Sequence, residues 1–500
     1  MDVPLLSLLV IIPLIGAVIT LFMGGERQKY AKFVALAFAA VTLVLALVVL
    51  FTKDFSTLDE YYGWIDTAAM KMGISFSVDG LSILMVFLTS LLVLLVIIFS
   101  SAESDRPNYF HTLVLAMEVG LMGVYLASDY FLFYIMWEIT LIPMYFMISW
   151  YGGPRRHYAA IKFLIYTHVA SLVMLIGIFA MGFEVASMLG GPVDFSFDVI
   201  NDVMPMASET MQSLLFALLF FGFAVKMPAV PFHTWLPDAH TEAPTGGSVL
   251  LAGVMLKMGS YGIIRVCLEA LPAGAEYWQW VIITIAVVSI IYGAFACIAQ
   301  KDLKKMVAFS SISHMGMVML GIGVLNEAGV TFAIFQMFAH GLITGILFMV
   351  AGMAGHNFGT REIPLLGGLA GKVPVYATFM MIGFMASLGL PGLVGFWGEF
   401  GVIFSFYEFI DANNMIWMIV FCLLSLMLTA GYYLWAMQRT LFGPETTKID
   451  LSHVHDVSKT EFAAMAVLVA CVAFFGVWPD AALNFIEPYA HGVASLFGVI

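Results

Sequence analysis

LLFFGFAVKMPAVPFHTWLPDAH (residues 218–240) sets Lys226 at the end of an apolar run and follows it with Pro228 and Pro231. A charge deep in an apolar helix costs about 2.5–3.5 kcal/mol on membrane-insertion scales, so it needs a reason. Proline removes a backbone donor and clashes with the preceding turn, so the helix is expected to break beside the lysine. GLPGLVGFWGEF (residues 389–400) repeats the device, with Pro391 and then Glu399. Broken helices with ionisable groups at the break belong to membrane transporters, where irregular backbone is tolerated only inside protein or around water.

The rest of the chain agrees. It has 500 residues, 62% of them apolar and only 11% charged, too few charges to clothe a soluble protein of this length. Apolar stretches long enough to cross roughly 30 Å of hydrocarbon recur from end to end. The expectation is an all-α integral membrane protein of about fourteen spans, near 3–23, 31–51, 81–100, 111–127, 131–150, 161–185, 211–240, 247–270, 278–299, 305–325, 329–354, 375–406, 414–437 and 461–479. The first stretch lacks a basic flank and a small-residue cleavage site, so it reads as a retained span. Cys267, Cys297, Cys422 and Cys471 have no metal-type spacing and read as small packing residues.

Alternating the loops sends Arg27, Lys29, Lys32, Arg106, Arg155, Arg156, Lys162, Lys301, Lys304, Lys305, Arg361, Lys372, Arg439, Lys448 and Lys459 to one side and only Lys53 and Lys71 to the other. Positive residues mark the cytoplasmic or matrix side, so both termini are expected on the opposite one. About eighteen of the 33 acidic residues fall on that outer side, which accounts for the net charge of −13 without a cationic partner.

The intramembrane charges make a pattern. Glu138 (FYIMWEITLIPM) lies in span five, Lys226 in span seven, Lys257 (LAGVMLKMGSYGIIR) in span eight and Glu399 in span twelve. His314 (AFSSISHMGMVML) lies in span ten and His340 (IFQMFAHGLITGILF) in span eleven. Histidine exchanges protons near neutral pH, so ordered by span these six residues form a candidate polar axis for proton transfer. The breaks lie five spans apart, an odd number, so the second broken helix runs opposite to the first. That gives segments 1–110, 111–270 (spans four to eight), 278–440 (an inverted repeat, spans nine to thirteen) and 441–500. Plainer readings stand beside these. Glu138 and Lys226 can be a fixed ion pair, though a buried pair is weak evidence for stability. His314 and His340 can bridge helices. Glu118 is either a helix-bridging group or a second partner for the lysines, and His168 reads as structural.

FHTWLPDAHTEAPT (residues 232–245), followed by LLAGVMLKMGSYG, resembles the antiporter-like subunits of respiratory complex I. That family also takes in subunits of multi-subunit cation/proton antiporters and of membrane hydrogenases. Glu399 in place of the usual lysine, and an end soon after span fourteen without a lateral helix, resemble its subunit M branch. The resemblance implies one proton channel built on Glu138, Lys226, Lys257, His314, His340 and Glu399, in a bacterial NADH:quinone oxidoreductase. It implies no cofactor in this chain, with FMN, iron–sulfur clusters and quinone in partner subunits. The implied partners are the other membrane subunits, including two more antiporter-like chains, and lipids, with no nucleic acid. The implied location is the bacterial inner membrane, multi-pass, with both termini periplasmic. Rival readings are an antiporter or hydrogenase subunit, a haem-binding membrane oxidase subunit that would need facing His pairs, and a purely structural anchor that would leave the buried lysines unexplained.

Overall fold

The computed structural model describes residues 4–100, 105–449 and 454–498. The beginning of the expected first span, at residue 3, and residues 450–453 and 499–500 of the expected last segment lie outside them. The described chain is a bundle of long helices. They run α1 (Leu5–Leu21), α2 (Ala31–Leu50), α3 (Ser82–Phe99), α4 (Pro107–Leu126), α5 (Tyr130–Tyr151), α6 (Arg156–Leu189), α7 (Glu209–Lys226) and α8 (Trp235–Glu242). Next come α9 (Thr245–Leu268), α10 (Pro272–Ile298), α11 (Leu303–Gly323) and α12 (Glu327–Asn357). The last are α13 (Pro374–Ser387), α14 (Val394–Ala412), α15 (Ile419–Thr440), α16 (Lys459–Val477) and α17 (Asp480–Ser495). Twelve helices among the described residues are long and apolar enough to cross a membrane, and α1 and α13 are shorter apolar helices.

One element goes beyond an all-helical reading. β1 (Glu60–Asp66) pairs antiparallel with β2 (Met70–Phe76), which takes β3 (Val193–Asp194) in parallel, in the order β1-β2-β3. This sheet is built from loop residues that the span count leaves outside the apolar core. Its edge meets the start of α5, where Asp129 caps the helix by accepting from the amides of Phe131 and Leu132.

The helices sort by burial. The most apolar stretch of α12 is 100% buried, and those of α9 and α11 are 94% buried, against 28% for α2. A helix apolar all round belongs in the interior of a bundle, and α9, α11 and α12 form it here. The exposed residues of the outer helices, such as Phe33, Phe51, Ile176 and Met427, are apolar and suit lipid or a partner's helices. In lipid the hydrophobic effect does not drive helices together, so close backbone approach must do so. At Gly253 of α9 a Cβ atom would lie 3.6 Å from the Gly341 carbonyl of α12; at Gly341 one would lie 2.7 Å from the Gly253 carbonyl. These two glycines let α9 and α12 touch beside Lys257 and His340.

Candidate functional site

Lys226, Lys257 and Glu399 each sit beside a local irregularity of the backbone. α7 ends at Lys226, and residues 227–234 are non-helical until α8 begins at Trp235. The freed backbone finds partners inside the protein: Trp235 Nε1 donates to the Val225 carbonyl at 3.0 Å, and the Val230 amide donates to Ser289 Oγ at 3.0 Å. The helix C-terminus favours a cation at its last residue. In the second half, α13 ends at Ser387 and α14 starts at Val394, with Gly389 at φ +76 between them. A Cβ atom at Gly389 would stand 2.9 Å from Glu399 Oε2, so the bare glycine makes room for the carboxylate. Between these breaks α9 holds π-helical turns at Leu251–Met255 and Ile263–Leu268, on either side of Lys257. Within the first of these turns the Ala252 carbonyl accepts from Lys257 Nζ. Such π turns often mark functional sites.

The side chains fall into two clusters. In the first, Lys226 is 1% exposed and its Nζ has no hydrogen-bond partner among the described residues. The ammonium lies over the rings of Trp137 (5.4 Å) and Phe163 (5.6 Å), a cation–π box. Glu138 makes no ion pair within 4.0 Å with Lys226. Its Oε2 instead meets His168 Nδ1 at 2.8 Å, while its Oε1 is buried without a partner. The fixed Glu138–Lys226 ion pair, one of the plainer readings of the sequence, is not formed here, although the charge of Glu138 still acts on Lys226. The physical reason is that the aromatic rings surround the ammonium and the α6 histidine claims the carboxylate. His168, read from sequence as structural, therefore belongs to the site.

The second cluster is continuous. Lys257 Nζ lies 2.8 Å from His340 Nδ1, both fully enclosed. His340 and His314 have ring centroids 5.6 Å apart. His314 Nδ1 meets Glu399 Oε1 at 2.9 Å, and His314 Nε2 meets Ser387 Oγ at 3.2 Å. Ser387 Oγ also bonds the Tyr433 hydroxyl at 2.7 Å. A lysine can only donate, so while Lys257 is an ammonium His340 Nδ1 accepts and the neutral ring carries its proton on Nε2. That Nε2 is buried without a partner, as is Glu399 Oε2. The chain of groups can pass a proton along its length, and both free atoms are open positions for it. Glu118 of α4 is fully enclosed with neither oxygen partnered, and it joins neither cluster by a hydrogen bond among the described residues. Sequence reading missed Ser387 and Tyr433, because a serine and a tyrosine in apolar helices carry no distinctive signal.

Residues 127–429 match the family described as "NADH:quinone oxidoreductase/Mrp antiporter, TM". The chain belongs to this family. Among its relatives is F(420)H(2) dehydrogenase subunit M of Methanosarcina mazei, 42% identical over 99% of this chain and 98% of that one. NADH-quinone oxidoreductase subunit M of Rhodobacter capsulatus is 38% identical over 97% of this chain and 95% of that one. A chain of respiratory complex I from Thermus thermophilus with bound NADH shares the fold at TM-score 0.88, with 29% identity over 99% of this chain and all of that one. Membership places this antiporter-type chain in a multi-pass membrane setting. The family match spans both clusters, from Glu138 to Glu399.

Proposed function

We propose that the chain carries protons across an energy-converting membrane through Lys226, Lys257, His340, His314 and Glu399, gated by Glu138 and His168. The observation that carries this reading is the buried run from Lys257 through His340 and His314 to Glu399, with contacts of 2.8 and 2.9 Å at its ends. In the resting arrangement Glu138 is held by His168. A conformational signal from a neighbouring subunit turns the carboxylate toward Lys226 or away from it, which changes how well the ammonium is held. The proton of Lys226 then passes to Lys257, from Lys257 Nζ to His340 Nδ1, and from His340 Nε2 toward His314 and Glu399. Glu399 releases it on the outer side. The groups titrate as a coupled set, so each step moves the others.

In this reading the chain is subunit M of an NADH:quinone oxidoreductase, and FMN, iron–sulfur clusters and quinone sit in its partner subunits. The membrane is the bacterial inner membrane, both termini are periplasmic, and the fourteen helical stretches cross it with α7–α8 and α13–α14 as the two interrupted crossings. The 42% identity to the F(420)H(2) dehydrogenase subunit favours a second reading of the electron donor alone, with the same proton chemistry in this chain. Membranes oxidising F(420)H(2) but not NADH decide for it.

The test is proton pumping by the assembled complex in closed vesicles. Lys257→Met and Lys226→Ala, with assembly checked by native electrophoresis, are expected to cut proton translocation at least about tenfold, since a positioned proton-transfer group contributes about that or more. Undiminished pumping by either assembled variant removes its lysine from the path.

A further inference from the structure

A further buried histidine stands between Lys257 and the basic side of the bundle. His240 lies near the end of α8, is 0% exposed, and neither ring nitrogen has a hydrogen-bond partner among the described residues. Its ring stacks on Phe348 of α12 with centroids 4.5 Å apart and planes at 17°. Phenylalanine would fill that role without leaving polar nitrogens unmet, which costs about 1–3 kcal/mol per group. The imidazole is therefore not explained by packing.

Its surroundings have a direction. The cations whose charge acts on His240 are Lys304 and Lys257, and the groups acting on His340 are Lys257, His314 and His240. His240 is thus electrostatically in reach of the inner end of the relay. On its other side lies an open cavity of about 540 Å³, lined by Glu242, Ala243, Lys304, His356 and Arg361 among others. The cavity is framed by the 152–153, 241–245, 302–304 and 355–362 segments, which include the loops of the basic side. Lys304 is 2% exposed and donates to the Ala243 carbonyl, so it forms the inner wall behind which α8 carries His240 one turn deeper.

We propose that His240 is the uptake residue of the relay, taking protons from water in the basic-side cavity and passing them to the Lys257–His340 pair. A proton binds one ring nitrogen, the proton on the other nitrogen leaves toward the pair, and neutral imidazole is restored with no net change in charge. The assignment rests on the relay reading above, which Lys257→Met tests independently.

The experiment uses the assembled complex in closed vesicles. His240→Phe keeps the stack on Phe348 and removes the proton carrier; His240→Gln keeps polarity and removes it too. Both are expected to assemble and to lower proton translocation through this chain by about a hundredfold or more, the range for a lost proton-transfer group. His356→Cys on the cavity wall, a readout free of turnover, is expected to react with a charged, membrane-impermeant methanethiosulfonate added on the basic side and not from the opposite side. Full translocation by His240→Phe or His240→Gln, or a cysteine reached only from the opposite side or from neither, overturns the assignment. If Lys257→Met abolishes translocation while His240→Phe keeps it, the uptake role alone fails; if both keep it, the relay reading fails.

Discussion

Lys226 and Lys257 are equally buried, yet their ammonium groups are held in different ways. Lys257 has hydrogen-bond partners in His340 and the Ala252 carbonyl; Lys226 has aromatic faces and, without a hydrogen bond, the nearby charge of Glu138. The carboxylate that one plainer reading of the sequence pairs with Lys226 is bonded to His168 instead. His168→Phe is accordingly expected to leave Glu138 free to settle on Lys226 and to slow turnover several-fold, read as the rate of donor-driven pumping in vesicles. An unchanged rate makes His168 a bystander. A second residue-scale effect concerns stability. Burial pushes Asp129, at the start of α5, from 3.8 up to about 6, against the backbone amides that hold it down. The folded protein binds the extra proton, so this residue's contribution is lost as pH rises from about 4 through about 6. Asp129→Asn keeps an acceptor for Phe131 and Leu132 without the charge. It is expected to flatten that part of the pH profile of melting in detergent and to raise the melting temperature at pH 7.5 relative to the parent.

At the scale of elements, the positions of the charged groups depend on helices that stop, widen or touch. The two breaks were legible in Pro228, Pro231 and Pro391, because proline imposes the same backbone limits wherever it falls. The π turns of α9 were not, since nothing in LAGVMLKMGSYG requires them; they arise where α9 fits against its neighbours. The contact of α9 with α12 at Gly253 and Gly341 was equally hidden, because glycine recurs throughout the chain. Gly341→Val is expected to force these helices apart at a cost of about 1–3 kcal/mol. It should also uncouple Lys257 from His340, so pumping is lost in protein that still assembles. Wild-type pumping in that variant shows that the close approach is dispensable. On the other side of the bundle Arg265 of α9 pairs with Asp79 and with Glu269, which also accepts from Tyr489 of α17. The cluster is only partly buried, with the Asp79 side chain 35% exposed, but Arg265 is the cation shared by both carboxylates. Arg265→Met should therefore lower the melting temperature and loosen α17, seen as faster proteolysis at the C-terminal helix.

Across the whole molecule, the loops assigned by alternation to opposite sides do gather separately. The 152–153, 241–245, 302–304 and 355–362 segments frame one cavity, and the 52–59, 77–80, 197–201 and 484–489 segments frame another of about 720 Å³. Lys305→Cys and Lys71→Cys are expected to react with an impermeant thiol reagent from opposite faces of sealed vesicles; labelling from one face breaks the topology. Sequence by itself determined the membrane class and the family and singled out six ionisable residues within apolar helices, because each follows from composition or from local chemistry along one helix. Tertiary structure alone decided which of those groups meet. Helix rotation, π turns and glycine contacts set which faces oppose, and no single helix encodes its neighbour's face. So Lys257 found His340, His314 found Glu399, and Glu138 found His168 rather than Lys226.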